Sequence, residues 1–184
     1  MARRVRASSK RLLPGTTELR AGEDIIPVKN DRIPHSRILA VLEASTEGPA
    51  GMAEIYRLHV LPVKTRTIQL IGRKSAPRII NTLLGYEVQA AYKRIHCPDM
   101  ATARYIRLFT EIGCHNIRLP YDPTVTASIL PAMESSIERL KTGVAALFPD
   151  SRAVRGYVLQ RLFSHVRRQI RAAQPPIRQL TIDE

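Results

Sequence analysis

From Ser151 onward, Val154, Val158, Leu162, Val166 and Ile170 recur every four residues until Gln174, Pro175 and Pro176 interrupt the pattern. A serine at the head, one apolar stripe and prolines at the end predict a helix over residues 151–173. Such a helix is stable only when its stripe is covered, so the chain must build a core on which this helix lies.

The preceding segments supply candidates for that core. Residues 21–36 contain Pro27, Asn30, Asp31 and Pro34 and read as an irregular crossing, and Ile38–Leu42 fits a buried strand or a short helix equally. Glu47, Gly48, Pro49, Ala50 and Gly51 form a break. Ala53–Val63 and Thr65–Ile71, rich in Ile, Val, Tyr and Thr, read as two strands. Ser75 and Pro77 open a predicted helix whose apolar side is Ile79, Ile80, Leu83 and Leu84 and which Gly85 ends. Tyr86–His96 alternates in part and reads as a strand, with continuation of the helix as the alternative. Pro98 and Asp99 precede Tyr105, Leu108, Phe109 and Ile112 at helical spacing, closed by Gly113. Ile117–Leu119 reads as a short buried strand. A helix is expected from about Ala127 to Thr142, with Met133, Ile137, Leu140 and Val144 inward and Pro131 restricted to its first turn.

This order predicts an α/β or α+β fold, a small mixed sheet covered by three to four helices in a single compact domain with basic tails. The expected organisation is a flexible basic N-terminal arm at 1–20, a compact domain at 21–174 and a C-terminal tail at 175–184. A hydrophobic share of 44% and a mean hydropathy of -0.15 over 184 residues suit one folded core.

Onto this fold the sequence adds a net charge of +13, carried mainly by arginine. Residues 1–20 hold six basic side chains against Glu18, and residues 151–184 hold seven arginines against Asp183 and Glu184. Residues 55–118 hold 11 basic and three acidic side chains, a local +8. Such an excess predicts an anionic partner. Scarce aromatics, with no Trp and three Phe, weaken a broad stacking platform for single-stranded bases.

Three basic groups are candidate phosphate contacts. Arg73, Lys74, Ser75 and Arg78 sit at the predicted helix start, where unpaired N–H groups and the macrodipole favour an anion. The spacing is neither a Walker A loop nor a dinucleotide fingerprint. Lys93, Arg94, Arg104 and Arg107 extend the patch across the next helix, although Glu111, four residues after Arg107, offers it a pairing partner. Arg161, His165 and Arg168 share one side of the final helix. That helix has three readings: phosphate or groove binding, a structural cover, or a membrane-surface helix with Tyr157, Leu159, Leu162 and Phe163 toward lipid.

Other chemistry has less support. His96–Cys97 and Cys114–His115 lack the ligand spacing of structural zinc sites, and the two cysteines fit buried, reduced thiols. Asp99 and Asp122, with His96, are the residues a metal-dependent phosphodiesterase would use, but each also reads as a cap or turn opener. No catalytic residue, metal or cofactor is assigned. No apolar run reaches membrane-spanning length, and the start lacks the apolar segment of a secretory signal, so a cytoplasmic or otherwise intracellular protein is expected. The leading functional expectation is a noncatalytic nucleic-acid-binding protein, with DNA and RNA both open. The competing classes are an enzyme acting on a phosphorylated or nucleic-acid substrate and a structural subunit in a protein complex with an acidic partner.

Overall fold

A computed structural model describes residues 51–72 and 76–174, together with Ser36. Apart from Ser36, the segments read as arm, crossing segment and first apolar cluster lie outside the described residues, as do Arg73, Lys74, Ser75 and the tail. All described residues belong to one compact unit within 33–184.

Among the described residues beyond Ser36, the first element is a helix rather than the expected strand. Helix α1 (Met52–Ile55) runs directly into a π-helical segment, Tyr56–Val60. Met52, Ile55, Tyr56 and Val60 are buried while Arg57, Leu58 and His59 face out. That spacing follows helical periodicity despite the β-rich composition. Gly51 provides no side-chain cap, and the free Met52 N–H donates to Ser136 Oγ at 3.0 Å.

The expected strand after it forms. Strand β1 (Thr65–Gln69) pairs antiparallel with β5 (Asn116–Pro120), from Thr65 opposite Pro120 to Gln69 opposite Asn116. Its Ile68 and β5's Ile117 and Leu119 turn toward the core.

The helix expected from Ser75 to Gly85 is replaced by a hairpin. Strands β2 (Arg78–Thr82), β3 (Gly85–Ala90) and β4 (Lys93–Cys97) form an antiparallel meander. The segment read as one strand at 86–96 is thus two, turning at Ala91 and Tyr92. Pairing sets Ile79, Val88 and Ile95 in one inward row. Gly85, at φ +121°, permits the first turn, where a Cβ would lie 2.8 Å from the Cys97 carbonyl oxygen. Leu83 and Leu84 occupy the turn and are exposed, instead of packing inward. The fold is α+β as expected, but its described strands divide between two antiparallel sheets instead of one mixed sheet.

The remaining helices follow their sequence signals more closely. Helix α2 (Met100–Glu111) is capped by Asp99, whose carboxylate accepts from the Thr102 N–H and hydroxyl, both at 2.8 Å. Helix α3 (Pro123–Leu147) begins earlier and ends later than expected, because Asp122 caps it and Pro123 fits its first position. Pro131 consequently lies in its interior. Both Pro131 and Ala127, whose carbonyl loses its i+4 donor, are exposed, so water can solvate that carbonyl. Helix α4 (Arg152–Ala173) is capped by Ser151 as expected.

Tyr56, Tyr105 and Phe109 form the centre of the core, with the Phe109 ring centroid 5.5 Å from that of Tyr56 and 4.7 Å from that of Tyr105. The Tyr56 hydroxyl accepts the Arg118 N–H at 2.7 Å, and the Tyr105 hydroxyl donates to the Arg118 carbonyl at 2.8 Å. Arg118 lies opposite Thr67 where its backbone groups point away from β1, so the two hydroxyls satisfy the inner edge of β5.

Candidate nucleic-acid interface

Helix α4 buries Val158, Leu162, Phe163, Val166 and Ile170 against the core, with Val154 half-buried. Leu162 and Phe163 are therefore unavailable to lipid, which overturns the membrane-surface reading of this helix. Its 22 residues contain six arginines and no acidic side chain. Arg161, Arg168 and Arg171 are exposed, and among the described residues none has a carboxylate within salt-bridge distance. His165 lies half-buried beside Arg161 and Arg168, on the side expected for all three. Arg161 also packs 5.4 Å from the Tyr157 ring centroid and donates from Nε to its hydroxyl at 3.1 Å. The two arginines not directed outward are structural. Arg155 bonds the Phe148 and Pro149 carbonyls, while Arg167 bonds the Ile112 carbonyl and Ser164 Oγ, locking α4 to the end of α2.

The patch expected around α2 is electrically different. Arg104 makes a two-pronged contact with Glu134 of α3, and Arg107 reaches the same carboxylate at 3.8 Å. Glu111 pairs with Lys141 at 2.8 Å, not with Arg107. These residues and Glu138 line a groove of about 320 Å³ between α2 and α3, with three basic and three acidic side chains. Such a balanced groove has little attraction for phosphate. Glu134 lies 30 residues from Arg104, and nothing in the local sequence announces that pairing.

The meander separates the other expected site residues. Lys93 is on the core-facing side of the sheet and donates to the Gln69 carbonyl, stitching β4 to the outer edge of β1. Arg78 and Arg94 are on the opposite side, in one cross-strand row with Gln89 between them. Arg94 has Glu87 at 4.0 Å, whereas Arg78 has no carboxylate partner among the described residues. Because Arg78 begins a strand, the helix-start anion site inferred for Arg73, Lys74, Ser75 and Arg78 loses the helix that defined it.

The candidate catalytic groups have other duties. Asp99 caps α2, and Asp122 accepts from the Thr124 N–H at 2.8 Å and its hydroxyl at 2.7 Å. Those bonds hold the Asp122 carboxyl below its ordinary pKa. Among the described residues no three His, Cys, Asp or Glu side chains gather as a metal site. Cys97 and Cys114 are buried free thiols, and burial pushes their pKa values up to about 11 and about 12, respectively. This environment favours the inert protonated forms.

No protein-family model, curated protein or solved structure matches the chain. No described helix is long and apolar enough to cross a membrane.

Proposed function

We propose that this protein binds the phosphate backbone of nucleic acid without catalysing a reaction, with the outer face of α4 as its principal contact. The carrying observation is the contrast between helices. The arginines of α2 meet a carboxylate, whereas Arg161, Arg168 and Arg171 on α4 meet none among the described residues. Guanidinium groups suit phosphate oxygens through charge-assisted hydrogen bonds and remain charged at any physiological pH. Core packing fixes the helix, so binding need not order the backbone that carries these groups.

Phosphate contacts position a protein without reading bases, which predicts broad affinity rather than sequence selectivity. The test is binding of the full chain to unrelated DNA and RNA sequences while salt is raised from about 50 to about 200 mM. Affinity is expected to fall steeply and similarly across sequences. Absence of binding at the lowest salt overturns the proposal.

A further inference from the structure

We propose that the β2–β3 hairpin is a wedge that places Leu83 and Leu84 between base pairs in a groove of duplex DNA. This deepens the phosphate-binding reading and rests on it. Leu83 and Leu84 have relative exposures of 105% and 83%, and they form the two-residue turn between paired Thr82 and Gly85. Neighbouring leucines thrust into water at a ribbon tip are suited to an apolar contact, and unstacked base steps offer one.

The tip is held in place. Thr82 Oγ1 donates to the Gly85 carbonyl at 3.1 Å, and Gly85 fits so closely beneath Cys97 that a Cβ would collide there. The other side of the sheet packs into the core through Val88, Ala90 and Cys97. Little conformational freedom therefore remains to be lost when the tip inserts.

Charge on the outer side of this sheet favours a polyanion. Arg78 and Arg94 occupy one row, with Glu87 the sole carboxylate on that side of the three strands. Arg78 lies five residues before Leu83, roughly 17 Å along an extended strand at ~3.4 Å per residue. B-DNA grooves are roughly 7.5–8.5 Å deep, and the major groove admits a two-stranded ribbon. A tip at the groove floor thus leaves the arginine row outside the groove, where long side chains can lean toward the phosphates. A membrane-inserted tip is expected to have exposed aromatic residues beside its apolar end, whereas Tyr86, next to this turn, packs against the core and the exposed Tyr92 belongs to the other turn of this meander.

The test uses the full chain, Leu83→Ser/Leu84→Ser, and the single Leu83→Ser variant as a milder substitution. Each is mixed with a duplex containing 2-aminopurine, whose fluorescence rises on unstacking, and with phosphatidylserine–phosphatidylcholine vesicles. Wild type is expected to raise the fluorescence. The double variant should bind about tenfold more weakly without that rise, the single variant should show an intermediate loss, and the salt slope should stay unchanged. Equal unstacking by wild type and both variants overturns the wedge, as does leucine-dependent binding to vesicles but not DNA. Salt-sensitive duplex binding by wild type without unstacking overturns the wedge alone. No duplex binding by wild type at low salt overturns the wedge, and absence of binding to RNA as well overturns the phosphate-binding reading.

Discussion

Replacing Tyr56 with Phe probes the junction that carries both the core and the inner edge of β5. The ring can keep its place against Phe109, but the Arg118 N–H loses its acceptor and Gln174 loses one of its two bonds. Gln174 is only half-buried and can turn to water. Arg118 N–H faces the buried hydroxyl, and stranding a buried donor costs roughly 1–3 kcal/mol. A loss of about 2 kcal/mol should lower the melting temperature by about 4–8 °C in a domain of this size. Thermal denaturation measures the total, and amide hydrogen exchange at Arg118 localises it. Tyr105→Phe removes the donor to the Arg118 carbonyl instead, and should cost less because carbonyls tolerate partial satisfaction better. A Tyr56→Phe protein that melts within about 1 °C of wild type, with Arg118 still protected, would refute this reasoning.

Three further outcomes follow from particular residues. Ala91 sits at φ 50°, where an L side chain is disfavoured, so Ala91→Gly should raise stability by about 1 kcal/mol in chemical denaturation. Neutralising Arg104 and Arg107 to Gln should leave the salt dependence of nucleic-acid binding unchanged, because both lie against Glu134 in a groove whose three carboxylates already balance its three basic side chains. Cys97, Cys114 and Tyr56 have raised folded pKa values of about 11, 12 and 12, so their stabilisation is complete below their unfolded values near 9 and 10. As pH rises through this window the unfolded chain loses protons first, so denaturation midpoints should fall from about pH 9 upward. At pH 8 both thiols should react with iodoacetamide far more slowly in folded than in urea-unfolded protein.

The elements legible in the sequence are those whose signals are local. Ser151 with its four-residue apolar repeat, and Asp99 ahead of Tyr105 and Phe109, predict α4 and α2 because cap and stripe lie within one segment. At 52–60 the composition favoured a strand, yet the buried positions Met52, Ile55, Tyr56 and Val60 follow helical spacing. At 78–85 the reverse occurs: Ile79, Ile80, Leu83 and Leu84 mimic a helical stripe, and pairing with β3 overrides it. Alternation after Gly85 carried that information, but only when two distant segments were considered together.

The candidate interface divides in the same way. Arg161, His165 and Arg168 could be placed together from spacing alone, as α4 shows. The neutralisation of Arg104 and Arg107 could not, because it depends on how α2 packs against α3. Exposure at Leu83 and Leu84 was hidden for a related reason, since both looked like core residues until their segment became a turn.

The most direct test of the phosphate-binding account compares wild type with Arg161→Gln/Arg168→Gln/Arg171→Gln on one duplex DNA across a salt series. If each arginine neutralises one phosphate, the slope of log affinity against log salt should become shallower by about 2.7, at ~0.9 per contact. The variant should retain the wild-type melting temperature to within about 2 °C, because these side chains lie outside the core. A slope and an affinity equal to those of wild type would contradict the account.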